Sequence, residues 1–171
     1  LINADKYMKK KIALITGATS GIGEACARRF AMGGYNIIIT GRNAKRLDEV
    51  KTGLEAEGAA VKTLCFDVSD RVQTRKAIES LGGEWTDIDV LVNNAGLARG
   101  LEPEYEGSFT DWDEMIDTNI KGLLNMTRLI VPGMVERDHG HVINIGSVAG
   151  DAAYAGGGVY CATKAAVKAL S

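Results

Sequence analysis

Five short apolar runs, KIALIT, NIIIT, AVKTLCF, DVLVNN and HVINIG, recur along the chain, separated by segments with helical periodicity. Strands apolar at nearly every position have no face for water, so they belong in a parallel sheet covered on both sides. The alternation therefore predicts an α/β fold, with helices over 21–32, 43–57, 70–80 and 110–136 and a fifth starting near 158. Asn43 and Asp70 suit the N-cap position, and TDWD places Thr110 at a third cap with an acid three residues on. Pro132 is expected to end or kink the long fourth helix near Val131, because it has no N–H to continue the ladder.

A chain of 171 residues fits one domain with a sizeable core. We assign that domain to 9–171 and read 1–8 as a flexible N-terminus or an expression remnant, with Met8 a candidate natural start. The net charge of -2 and the absence of a long basic block argue against a nucleic-acid partner. Three scattered cysteines, without ligand spacing, fit a reducing compartment and no structural metal. No run is long enough to span a membrane and no signal peptide is evident, so the expectation is a cytoplasmic protein. There is no internal repeat or linker.

The stretch ITGATSGIG follows the first strand and opens the first helix, with Gly17, Gly21 and Gly23 at its turns. Three glycines alone fit a tight turn as well as a ligand site. With a strand before and a helix after, they fit a pyrophosphate cradle, in which Thr19, Ser20 and Ile22 join the cofactor contacts. At the end of the second strand, Gly41 leaves room and Arg42 offers a guanidinium where an acid would repel a 2'-phosphate, favouring NADP over NAD. The alternative is a solvated surface arginine. Asp67 and Val68, after the third strand, are placed to meet an adenine edge, although Asp67 also suits a turn. Asn93, Asn94 and Gly96 end the fourth strand, where they read as cofactor contacts and sheet braces or as an Asx turn.

Tyr160 and Lys164 stand at i and i+4, on one face of the fifth helix. That spacing also occurs in Tyr7 and Lys11, where no glycine cradle precedes it, so context has to decide. Here the context is ordered: TGATSGIG, DV, NNAG, DTNIKG, INIGS and YCATK follow one another. In that order and at those intervals the chain resembles the short-chain dehydrogenase/reductase family from about Lys9 to its last residue.

The resemblance implies a Rossmann-like, doubly wound parallel sheet of order 3-2-1-4-5, and later strands that this sequence lacks. It implies Tyr160 as general acid/base, Lys164 as its partner, Ser147 as binder of the substrate oxygen and Asn119 as anchor of a proton-relay water. Seen alone, Ser147 reads equally as a turn cap, Asn119 as a solvent-facing helix residue, and the Tyr–Lys pair as a surface pair. The chemistry agrees with the family roles: oxidation of an alcohol by hydride loss also requires a base for its hydroxyl proton. A free phenol, with a pKa of about 10, needs roughly 4 kcal/mol of preferential phenolate stabilisation to act near pH 7. A neighbouring ammonium works in that direction.

Longer segments, including NNAGLARGLEP and YAGGGVYCATKA, look like the branch of NADP-dependent 3-hydroxy acid dehydrogenases. That implies a small hydroxy acid or ketone as substrate, serine or allo-threonine among them, with Ser147 and Tyr160 against it. A 3-oxoacyl thioester reductase and a non-catalytic NADP-binding module are the competing expectations. The family also implies a homotetramer assembled through helices 110–136 and 158 onward, and members that run on further to supply a substrate lid. We therefore expect part of a longer enzyme, the alternative being a genuine fragment that is unstable and inactive. Tyr154, in a glycine-rich loop, is placed near the substrate.

Overall fold

A computed structural model describes residues 9–171. The expectations for 1–8, and the Tyr7–Lys11 pair, lie outside the described residues. Five parallel strands, β1 (Ile12–Ile15), β2 (Asn36–Gly41), β3 (Val61–Cys65), β4 (Val90–Asn93) and β5 (His141–Asn144), form one sheet in the order β3-β2-β1-β4-β5. Winding runs outward from β1 to β3, then restarts beside β1 with β4. That reversal opens a crevice between the carboxyl ends of β1 and β4.

Alternation along the strands divides the core into two halves. Ile12, Leu14, Ile38 and Leu91 face one side, against Met126, Ile130 and Met134. Ala13, Ile15, Ile37, Ile39 and Val92 face the other, against Ala27, Leu47, Val50 and Leu54. The helices supplying the second set are α1 (Gly21–Met32) and α2 (Ala44–Ala56); α3 (Arg71–Glu79) lies beside α5 (Leu123–Glu136) on the first side. Asn43 caps α2 by accepting from Arg46 N, and Asp70 caps α3 by accepting from Val72 N and Gln73 N.

The predicted helix over 110–136 is resolved into three pieces. Its first, α4 (Phe109–Ile116), is capped by Ser108, which accepts from Asp111 N, rather than by Thr110. Ser108 also has an acid three residues on, so two capping frames overlap here and the earlier one wins. A π-turn over Asp117–Gly122 follows, then α5. Pro132 does not end α5, which continues to Glu136. It lies on the exposed face, as does Arg128 one turn before it, so the carbonyl left without a donor is open to water. The last helix, α6 (Gly158–Ala169), packs on α4 and the π-turn.

Candidate functional site

The chain leaves β1 through a loop whose shape only glycine tolerates. Gly17 and Gly21 have φ of 62° and 55°. A Cβ on Gly17 would lie 2.9 Å from Ala95 Cα, and one on Gly23 would lie 2.4 Å from Asn94 Nδ2 and from Gly17 O. Gly21 differs, since a Cβ there meets nothing within 4 Å. Its outer side is the open cleft. The N-cap residue of α1, Ser20, makes no side-chain capping bond, so first-turn N–H groups remain available to an anion at the positive end of the 12-residue helix. Strained backbone, open space and free donors together fit a pyrophosphate.

Asn94 ties this loop to β4. Its Nδ2 donates to Thr16 O (2.9 Å) and Gly17 O (3.0 Å), while Thr16 Oγ1 accepts from Asn94 N (3.0 Å) and Ala95 N (2.9 Å). Asn93 points the other way. Its Nδ2 donates to Asn144 Oδ1 (2.9 Å) and Thr127 Oγ1 (3.3 Å), and its buried Oδ1 has no partner among the described residues. It braces β4 to β5, the sheet-bracing half of its expected role.

A cleft of about 350 Å³ runs from the glycine loop toward the ends of β2 and β3, with Thr19, Arg42, Asp67 and Val68 in its walls. Arg42 is exposed but paired: its Nη1 lies 3.4 Å from Asp67 Oδ2 and 3.7 Å from Glu114 Oε1, and Arg99 Nε reaches the same Glu114 at 3.0 Å. Burial pushes the Asp67 carboxyl up, but donors from Ser69 and the Arg42 charge outweigh it and hold the group below its ordinary value. Val68 is set by Asn125 Nδ2, which donates to its carbonyl at 2.9 Å, and by Gly122, where a Cβ would lie 2.6 Å from Val68 Cγ2.

A second cleft of about 380 Å³ shares Gly17, Ser20, Asn94, Gly96 and Leu97 with the first and continues it to Tyr160 and Lys164. The two make one groove. Lys164 is only 8% exposed, and Nζ donates to Ile145 O at 2.9 Å. One of its three donors is thereby engaged. Burial holds its pKa below the ordinary lysine value. Nζ lies 6.0 Å from the centre of the Tyr160 ring, whose hydroxyl has no hydrogen-bond partner among the described residues.

Ser147 sits at the end of β5, where Oγ accepts from Ala149 N at 3.2 Å and caps a short 3-10 turn, Val148–Gly150. Its neighbour Gly146 lines the groove. Asn119 does not face solvent. It is 2% exposed, and its side chain is taken up by Leu97 and Thr163. Sequence reasoning passed over Thr16, Leu97, Asn125 and Thr163, whose roles are hydrogen bonds across the fold. For Thr16, Asn125 and Thr163 the one local signal was a polar residue inside or beside an apolar segment; Leu97, which bonds through its main chain, gave none. Among the described residues no three His, Cys, Asp or Glu side chains cluster as metal ligands, and no helix is long and apolar enough to cross a membrane.

Comparison with known proteins agrees with this geometry. The family model for short chain dehydrogenases matches residues 11–171. An NADP-dependent 3-hydroxy acid dehydrogenase, YdfG, of Salmonella typhi is 55% identical over 160 residues, covering 94% of this chain and 63% of the relative. A serine 3-dehydrogenase of Rhizobium radiobacter is 48% identical over 158 residues, covering 92% of this chain and 62% of the relative. Among solved structures, the closed form of serine dehydrogenase complexed with NADP+ superposes with a TM-score of 0.87 at 53% identity, covering 94% of this chain and 63% of that one. The chain thus spans 63% of the length of the first of these curated relatives.

Proposed function

The chain belongs to the short-chain dehydrogenase family, and on that premise we propose that it transfers hydride between NADP and a small 3-hydroxy acid such as serine or allo-threonine. The observation that carries the reading is the shared groove, in which the glycine loop at one end and Tyr160 with Lys164 at the other line a single surface. The relatives named above as NADP-dependent and as acting on 3-hydroxy acids or serine support the choice of cofactor and substrate class.

NADP, when bound, supplies the hydride acceptor. First-turn N–H groups of α1 would hold its pyrophosphate, and Arg42 its 2'-phosphate. The remaining chemistry belongs to the chain. The Tyr160 hydroxyl, unclaimed by other groups among the described residues, takes the proton of the substrate alcohol, and the Lys164 ammonium stabilises the phenolate that does so. Lys164 keeps two donors for ribose hydroxyls while Ile145 O holds the third. Ser147 Oγ accepts from Ala149 N, leaving its O–H to orient the substrate oxygen. Asn119 acts from behind, its amide holding Leu97 at the floor of the groove; the relay water rests on the family resemblance alone.

The same reading places the protein in the cytoplasm, where Cys26, Cys65 and Cys161 stay reduced, and in a homotetramer assembled through α4, α5 and α6. Light scattering of the purified chain tests the assembly, and a monomer at micromolar concentration would reject it. For the reaction, serine, allo-threonine and 3-hydroxybutyrate are each supplied with NADP+ and with NAD+. Turnover with NADP+ is expected. Absence of turnover with all three, or faster reduction of an acetoacetyl thioester, would overturn the assignment.

A further inference from the structure

We infer that Thr163 is a positioning residue, which fixes the amide of Asn119 and so locks the helix carrying Tyr160 and Lys164 to the Gly96–Leu97 floor of the groove. Its kinetic consequences rest on the reaction proposed above; the lock itself does not. Thr163 is 1% exposed and lies between the two reactive residues on α6. Its hydroxyl donates to Tyr160 O at 2.7 Å. With that proton committed, the oxygen can only accept, and it accepts from Asn119 Nδ2 at 3.0 Å.

This defines which way Asn119 faces. The amide nitrogen meets Thr163 and Leu97 O (2.9 Å), so Oδ1 is left to accept from Leu97 N (2.8 Å). Both polar groups of the Leu97 main chain are satisfied by one side chain. Reversing the amide would set its oxygen against the Leu97 carbonyl and the Thr163 oxygen, and its N–H groups against the Leu97 N–H. Three hydrogen bonds would become like-against-like contacts in a buried site.

The lock reaches the groove by direct contact. Gly96 and Leu97 line both halves of it, and a Cβ on Gly96 would lie 3.2 Å from Asn119 Oδ1 and 3.6 Å from Lys164 Nζ. Floor, amide and ammonium therefore meet at one point. The π-turn of Asp117–Gly122 carries Asn119, and local widening of a helix into such a turn is common at functional sites.

Valine matches the shape of Thr163 without its hydroxyl, whereas serine keeps the hydroxyl. Wild type, Thr163→Val and Thr163→Ser would be compared by amide hydrogen exchange at Leu97, by NADPH affinity, and by the pH dependence of kcat and KM for 3-hydroxy acid oxidation. Thr163→Val removes two buried hydrogen bonds, to Tyr160 O and from Asn119 Nδ2, and we expect it to speed Leu97 exchange and to lower kcat by at least about tenfold each. The ascending limb of its pH profile should move to higher pH, with KM and NADPH affinity changing by less than about threefold, and Thr163→Ser should restore all three readouts. Wild-type exchange at Leu97 in Thr163→Val, or a serine variant as impaired as the valine one, overturns the inference. A wild-type chain that oxidises no hydroxy acid overturns the proposed reaction instead, and the Leu97 exchange rates still decide the lock.

Discussion

Gly21→Ala separates the cost of folding the glycine loop from the cost of binding through it. The residue has φ of 55°, and an added Cβ meets no protein atom within 4 Å, so the substitution carries backbone strain and no clash. Forcing an L-residue into that region costs about 1–2 kcal/mol. For a domain of this size that is a fall in Tm of roughly 2–8 °C. On the proposed reading, however, the methyl group would stand on the groove wall where the pyrophosphate is expected. Losing one hydrogen bond to a charged phosphate costs about 1.5–3 kcal/mol, or roughly 10- to 150-fold in affinity. Gly23→Ala is the contrast: its Cβ would lie 2.4 Å from both Gly17 O and Asn94 Nδ2, so the damage falls on the fold. NADPH fluorescence titration and thermal melts of both variants read the two effects. A Gly21→Ala chain that melts a few degrees lower yet binds NADPH as tightly as wild type would refute the placement of the phosphate.

Arg42→Ala should weaken NADP binding by about 10- to 100-fold, the worth of a charged phosphate contact, and leave NAD binding within about threefold, as read by calorimetry. Equal losses for both would contradict the 2'-phosphate assignment. Lys164→Met tests the buried ammonium. Because burial holds the folded-state pKa of Lys164 below its ordinary 10.5, the penalty is fully present below the depressed value and fades as pH rises toward 10.5. The methionine variant loses the hydrogen bond to Ile145 O at every pH, so the test is the trend: wild type should gain on it as pH rises into alkaline buffer, denaturant melts across pH would show it, and a gap moving the other way would contradict it.

The sheet was legible because strands buried on both faces leave continuous Ile and Val runs, and helices between them show where each run must cross over. The glycine loop was legible for a different reason: residues 17 and 21 sit at positive φ, a constraint that leaves its mark in residue type. The π-turn at 117–122 left no mark, since what places Asn119 there is its pairing with Leu97 and Thr163, far away in sequence. The cap of α4 was ambiguous for a local reason, with SFTD and TDWD offering the same spacing two residues apart. Asn93 and Asn94 are alike in sequence and opposite in structure, because one ends a pleated strand and the other begins the loop. Only the direction in which β4 emerges decides which of them meets the groove.

Hydride transfer at the groove is tested most directly by a 3-hydroxy acid deuterated at its carbinol carbon, mixed with NADP+ and followed by NMR. Deuterium should appear on the nicotinamide ring with the wild-type chain and not with Tyr160→Phe, while the variant still binds NADPH. Undiminished transfer by Tyr160→Phe, or label released to water with none on the ring, would contradict the account.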